Sequence, residues 1–436
     1  MKNKRYKIVT LGCKVNQYES AALEERLLSE GWCPALPEDS PDVTVINTCI
    51  VTQRASYQSR QAIRKAIREK RGGMVAVVGC YPQVFHEEIS GIDGVDIITG
   101  NCGKSRISDF LIKGSGFCEK CTEIVDYEKD TPFDFLPVRE FTKRTRAFLK
   151  IQDGCESFCS YCIVPFARGP LRSLNPDKVI DSLKSFSDSG YKEVVLTGVH
   201  LGKYGVDLGN GKGLDELLVK IGKEKLGLRI RLSSIEPMEI TPDLIDMVET
   251  HEWLCRHFHI PLQSGDKRVI KRMNRHYKPD DFGKLVESIH KKIPMAAIGV
   301  DVIAGFPGED EKAFMNSCSL IDDLPVSYLH VFPFSPRQGT PAAEFPDQVD
   351  SRVVKERAAI LRDLGKEKKT EFYRSCLNKE FSVLAEGWHS KEKKNMKGLS
   401  DNYLHVVFPS EVSVKNELIN VIIKKVTKEN VVGKVL

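Results

Sequence analysis

No apolar run in this 436-residue chain approaches the roughly 20 residues that a membrane-spanning helix needs. Runs such as VVLTGV (194–199) and MAAIGV (295–300) fall far short. The N-terminus, MKNKRYKIVTLGC, has neither an apolar core of signal-peptide length nor a small-residue cleavage site, which argues against export. The chain ends at Val-Leu with no apolar tail. A soluble cytoplasmic protein is the expectation, with no membrane partner. Charge of one sign is also scarce: 65 Lys+Arg stand against 60 Asp+Glu, a net +5. That permits a nucleic-acid partner without arguing for one. Internal repeats and low-complexity segments are lacking, and 29% charged against 41% hydrophobic residues is a globular balance that excludes a disordered or fibrous chain.

Cysteine, by contrast, is plentiful. There are 13, an odd number in a chain without an export signal, so the thiols are expected to stay reduced. Their clustering points to metal or redox chemistry.

The length suggests two or three domains. Over 1–115, the runs KIVTL (7–11), VTVIN (43–47) and MVAVV (74–78) alternate with helical stretches, Tyr18 to Glu30 and Gln53 to Arg71. This predicts a small α/β unit with a parallel sheet. Residues 116–143 lose the rhythm and read as a linker. Over 144–370, six strand candidates alternate with helices: AFLKI (147–151), EVVLT (193–197), RIRLS (229–233), HFHIP (257–261), IGVDVIA (298–304) and YLHVF (328–332). They predict a partial (β/α)6 barrel with its chemistry at the C-terminal strand ends, followed by a highly charged helix from Ser351 to Arg374. Residues 371–436 hold the runs EFSVLAEGW, YLHVVFP and NVIIKKVT and predict a small all-β barrel.

The strongest chemical signal is GCESFCSYC. Cys155, Cys159 and Cys162 follow the first barrel strand with C-x3-C-x2-C spacing. Three thiolates on one loop can hold three irons of a [4Fe–4S] cluster and leave the fourth iron open. A structural zinc would require a fourth ligand, and none is close in sequence. A second constellation is dispersed. Cys13, Cys49 and Cys80 each lie just past a candidate strand, 36 and then 31 residues apart. Parallel strands deliver such ends to one sheet edge, so three thiols in phase favour a second cluster over three buried packing cysteines.

The C-x3-C-x2-C loop at the end of the first strand of a partial barrel resembles the radical S-adenosylmethionine (SAM) enzymes. The resemblance extends to Leu196-Thr197-Gly198, to Ser233-Ser234-Ile235-Glu236 and to GVDVIAGFPGE (299–309). It implies SAM contacts at Tyr161, Thr197, Gly198, Ser234, Glu236, Val302 and Gly305. The phrases TLGCKVNQ (10–17), INTC (46–49) and VGCYPQ (78–83) are similar to the N-terminal domain of the methylthiotransferases. LGCKVNQYES and QDGCESFCSYCIVPFARGP look most like the type acting on N6-threonylcarbamoyladenosine at tRNA position 37. The resemblance covers essentially the whole chain. It implies two [4Fe–4S] clusters, on Cys13, Cys49 and Cys80 and on Cys155, Cys159 and Cys162, with SAM as co-substrate. It further implies a C-terminal RNA-binding TRAM barrel, a tRNA anticodon stem-loop as partner, and a flavodoxin- or ferredoxin-like electron donor. C2 of an adenine is an unactivated C–H position, for which a radical route is a reasonable solution. The alternatives are the same machinery acting on isopentenyladenosine or a ribosomal protein, and a non-catalytic iron–sulfur or zinc protein that binds RNA.

Weaker signals carry plainer readings. Cys118 and Cys121 form a lone C-x2-C, while Cys33, Cys102, Cys255, Cys318 and Cys376 read as packing thiols. The basic runs 60–71, 143–146 and 267–275 read as solvated faces, although together they suit a phosphate backbone. His257 and His259 share one strand face. With His276 they are assigned no acid–base role.

Overall fold

The computed structural model describes residues 4–36, 38–113, 121–141, 144–209, 213–427 and 430–436. Its N-terminal part is an all-parallel sheet, built on the strands Arg5–Thr10, Val43–Thr48, Met74–Gly79 and Ile97–Thr99. The short strands Cys33–Pro34 and Cys121–Glu123 pair in parallel at its two edges. Val43–Thr48 is buried along its whole length, as a strand covered on both faces requires. Helix Gln53–Glu69 buries Ser56, Ser59, Ile63 and Ala66, a three-and-four spacing that lays one stripe on the sheet. Its first turn is capped by Thr52, which accepts from the Ala55 amide.

Cys121–Glu123 thus extends the sheet from within the segment read as a linker. Further along that segment Leu136, Val138 and Phe141 pack into the core of the next unit. Cys118 lies outside the described residues, and Cys121 is half-buried in the edge strand.

Six parallel strands follow, as two three-stranded sheets: Arg146–Lys150, Glu193–Thr197 and Arg229–Leu232, then His257–Gln263, Ala297–Ala304 and Tyr328–Pro333. The backbone bond from Ile235 N–H to His259 O and the bridge between Ile230 and Leu254 carry the sequence of strands across the gap. Asn175, Thr241 and Asp310 cap three of the intervening helices. This is the partial six-unit α/β barrel that the strand rhythm predicts.

Helix Ser351–Ser375 leads into a closed five-stranded barrel, ordered Glu380–Trp388, Asn395–Ser400, His405–Pro409, Val431–Val435 and Leu418–Val426. This barrel is fastened beneath the N-terminal ends of the parallel strands. Arg229 and Arg231 donate to the carbonyls of Ser382, Leu399, Ser400 and Asp401. Both guanidiniums are held in place by the fully buried carboxylate of Glu193. Among the described residues, no helix is long and apolar enough to cross a membrane.

Candidate active site

Each cysteine of the N-terminal set sits where a strand hands over to a loop or helix. Cys13 is the N-cap of helix Lys14–Ser29, and Cys80 opens helix Cys80–Ser90. Gly12 and Gly79 precede them with φ of +97° and +105°, a region closed to most L-residues. A Cβ on Gly12 would lie 2.7 Å from the Cβ and 2.8 Å from the Sγ of Cys49, so the first two strand ends are packed against each other. Cys80 Sγ accepts from Asn101 Nδ2 at 3.4 Å. Burial pushes the Cys49 thiol up, and the charge of Cys80 raises it further. The structure therefore brings the three thiols to one sheet edge.

The second triad lies on the loop that follows Gln152–Asp153. Gly154, at φ +78°, is so enclosed that a Cβ there would meet the Pro170 carbonyl at 1.7 Å. Cys155 Sγ lies 3.5 Å from His200 Nδ1, whose Nε2 is 2.8 Å from Glu239. Arg275 Nη1 lies 3.7 Å from Cys159 Sγ. Cys155 and Cys159 thus each have a cationic or hydrogen-bonding neighbour suited to a thiolate, while burial pushes the Cys162 thiol up to about 12.

Spacing tests what the triads fit. Four-coordinate zinc brings its sulfurs to about 3.8 Å of one another. Among the described residues, the only trio of His, Cys, Asp or Glu ligand atoms lying within 4.8 Å of one another is His259, Asp301 and His330. Neither cysteine triad is closed to single-ion spacing, and three soft thiolate donors suit iron–sulfur chemistry.

The short helix Val164–Arg168 joins the two triads. It begins just after Cys162, and at its far end the Ala167 carbonyl accepts from Asn101. Arg168 is buried, bonded to Glu19 at 2.5 Å and to Asn16 at 2.6 Å, with Asp153 at 3.3 Å. Lys104 and Lys150 also bond Glu19, and Lys150 and Arg172 face Asp153. Four cations thus surround two carboxylates. The surplus positive charge favours anionic thiolate ligands nearby, because unpaired buried charge is costly.

Below the triads is the barrel lumen. Strand register places His257, His259, Asp301, Tyr328 and His330 on one face. Tyr403, from the C-terminal barrel, forms the floor. Its ring centroid is 4.4 Å from that of His257 and 5.4 Å from that of Tyr328, with the Arg231 guanidinium 5.3 Å above it. His259 bonds Ser234 at 2.9 Å and Asp301 at 2.7 Å, and His330 is 3.2 Å from the same Asp301 oxygen.

The residues singled out for SAM divide. Thr197 and Gly198 lie beside the loop, where Ile151 donates to the Thr197 carbonyl and Gln152 fills the space above Gly198. Tyr161 packs edge-on to Phe306. Ser234 faces the lumen through His259, and Glu236 is ion-paired with Arg275. Gly305, at φ +77°, donates its amide to Glu309. Val302 departs from the pattern, since its side chain lies in the large hydrophobic core of the barrel unit. Its neighbour Ile303 packs with Tyr161 and Phe306.

His200, Arg168 and Arg275 escaped the sequence reading. Arg275 lies in a basic run read as a solvated face, yet its side chain is only 7% exposed. Arg60, in another such run, is half-buried against the Tyr81 hydroxyl, while Arg64, Lys65 and Arg68 are exposed.

Comparison with known proteins follows the same division. Residues 5–100 match the family described as Uncharacterized protein family UPF0004, and residues 149–321 match the Radical SAM superfamily. The chain is 40% identical over 421 residues to the threonylcarbamoyladenosine tRNA methylthiotransferase MtaB of Bacillus subtilis, covering 95% of this chain and 93% of that one. It is 36% identical to the protein of the same name from Aquifex aeolicus, covering 86% and 91%. The tRNA-2-methylthio-N(6)-dimethylallyladenosine synthase of Fusobacterium nucleatum is 32% identical, covering 99% and 100%. Among solved structures, the radical SAM methyltransferase TsrM of Kitasatospora setae superposes with a TM-score of 0.57 at 14% identity, over 78% of this chain and 75% of that one, a likeness of fold. With both family models matched and relatives similar over nearly the full length, the chain belongs to the radical SAM methylthiotransferase family.

Proposed function

We propose that this chain adds a methylthio group to C2 of N6-threonylcarbamoyladenosine at position 37 of tRNA. The observation carrying this reading is the convergence of two separate cysteine triads, at the two ends of one short helix, above a polar lumen. Five helical residues span only about 7.5 Å, so a base in the lumen can address both. Names of relatives at 36–40% identity support the choice of acceptor.

Cys155, Cys159 and Cys162 would hold an open [4Fe–4S] cluster that binds SAM, and Cys13, Cys49 and Cys80 a second. When bound, the first supplies a 5′-deoxyadenosyl radical by reductive cleavage of SAM, and the second a site for the sulfur to be transferred. The protein's own residues do the rest. His200 and Arg275 would compensate thiolate charge at Cys155 and Cys159, and Arg168 would do so beside Cys80. Thr197, Gly198, Ser234 and Gly305 would contribute contacts to SAM.

The target base has to leave its stack to enter, which costs least in an unpaired loop. The C-terminal barrel would hold the anticodon arm by its backbone. A small flavodoxin- or ferredoxin-like protein would supply the electron, and the cytoplasm would be the site of action.

The test is mass spectrometry of tRNA nucleosides from cells with and without the gene. Loss of 2-methylthio-N6-threonylcarbamoyladenosine with accumulation of its unthiolated parent supports the reading. Loss of the methylthio group from the isopentenyl nucleoside instead would move the chain to the other substrate type.

A further inference from the structure

Helix Gln53–Glu69 turns Ser56, Ser59, Ile63 and Ala66 toward the sheet. Its opposite side carries Arg54, Tyr57, Gln61, Arg64 and Arg68, all exposed. Steps of three and four residues align these five along one stripe, about 21 Å long from Arg54 to Arg68 at the helical rise.

The stripe is of one sign and unpaired. The helix holds five cations and a single carboxylate, Glu69, and Glu69 is taken by Lys7 and Lys65. Among the described residues, Arg54, Arg64 and Arg68 have no hydrogen bond or ion pair. A merely solvated face mixes its signs, as helix Ser351–Ser375 does with eight cations and four carboxylates and pairs such as Lys366 with Asp363. Position sets the stripe apart as well. The Gln53 amide donates to Ser335 Oγ and its side chain to the Pro336 carbonyl, both at 3.2 Å, while Arg337 donates to Ser56 at 2.8 Å. Those partners follow the last parallel strand, Tyr328–Pro333. The stripe therefore starts at the rim of the barrel, at the opposite end of the parallel strands from the C-terminal barrel, and runs back over the N-terminal domain.

We propose that this face of helix Gln53–Glu69 is a track for the phosphate backbone of the tRNA anticodon arm, a hold separate from that of the C-terminal barrel. This rests on the tRNA acceptor proposed above. Guanidiniums engage phosphate oxygens two at a time, and each phosphate neutralised releases counterions. Tyr57, 56% exposed between Arg54 and Arg64, offers a ring on which an unpaired loop base can stack. An acidic electron donor is the other partner a basic face can take. Its electron is needed at Cys155, Cys159 and Cys162, whereas the stripe sets out beside Thr52, three residues beyond Cys49.

The test measures equilibrium binding of a synthetic anticodon stem-loop, with N6-threonylcarbamoyladenosine at position 37, to the iron-reconstituted protein between about 50 and 200 mM salt. The Arg54→Gln, Arg64→Gln, Arg68→Gln triple variant is expected to bind about 10- to 100-fold more weakly at the lower salt. Its slope of log affinity against log salt falls by about 2 to 3. A control removes the same charge from the exposed face of helix Ser351–Ser375, as Arg352→Gln, Lys355→Gln, Arg362→Gln, and leaves the slope unchanged. Iron content and RNA-independent SAM cleavage with dithionite stay the same in all three proteins. An unchanged slope in the stripe variant overturns the proposal, as does an equal loss in the control. So does a stripe variant that binds the stem-loop normally but cleaves SAM with dithionite and not with flavodoxin, which gives the face to an electron donor. Failure of the wild type to bind the stem-loop at any salt overturns the tRNA acceptor itself, a result separable from the others.

Discussion

At Arg168 a single guanidinium ties the N-terminal domain to the barrel, through Glu19 and Asn16 on one side and Asp153 on the other. Removing it leaves Glu19 and Asp153 with fewer partners in a buried setting, at a cost of about 3–5 kcal/mol. Arg168→Met is expected to lower the thermal unfolding midpoint and to reduce iron retained by the Cys13, Cys49 and Cys80 set. Differential scanning fluorimetry and iron analysis check both. Nothing in the run FARGP announces this role. The six cysteines were legible because spacing and strand phase report on thiols. Arg168, His200 and Arg275 were not, because a basic residue that folds back on a carboxylate or thiol looks in sequence like one that meets solvent. Val302 shows the converse limit: the right segment was legible, but the strand's alternation turns Val302 into the core and Ile303 toward Tyr161.

Among the elements, the loop from Gly154 to Cys162 depends on backbone freedom as much as on thiols. Gly154 is at φ +78° with the Pro170 carbonyl 1.7 Å from where a Cβ would stand. Gly154→Ala is therefore expected to abolish iron binding by the second triad and SAM cleavage, while the N-terminal set keeps its iron. Iron quantitation and assay of 5′-deoxyadenosine check it. Most long elements follow their sequence signals closely, and Glu193–Thr197 and Glu380–Trp388 match the predicted runs end to end. Two C-terminal strands did not stand out. Asn395–Ser400 reads NMKGLS, poor in β-branched residues, and Val431–Val435 is interrupted by Gly433. Their pairing comes from barrel closure rather than local preference.

For the molecule as a whole, Glu193 joins the catalytic barrel to the C-terminal one. Burial opposes its charge, but Arg231 and Arg229 hold its carboxyl down to about 2 from an ordinary 4.5. A depressed carboxyl contributes stability that is fully present above about pH 4.5 and lost as pH falls toward 2. The shift corresponds to about 3 kcal/mol. Glu193→Gln is expected to lower stability at neutral pH and to flatten the acid limb between pH 4.5 and 2. Chemical denaturation across that range measures it. Freeing Arg229 and Arg231 would also loosen the C-terminal barrel and Tyr403, the floor of the lumen. This coupling was invisible in the sequence, where the barrel read as an appended RNA-binding module. The structure makes it part of the cavity wall.

The central claim is that both cysteine triads serve one base. The most direct measurement compares the reconstituted protein with its Cys13→Ala, Cys49→Ala, Cys80→Ala triple variant. Both receive tRNA bearing N6-threonylcarbamoyladenosine, SAM and a reductant, and iron, 5′-deoxyadenosine and modified nucleoside are measured together. About eight irons per wild-type chain and about four in the variant are expected, with 5′-deoxyadenosine formed by both and the methylthiolated nucleoside by the wild type alone. Methylthiolated product from the triple variant would contradict the claim.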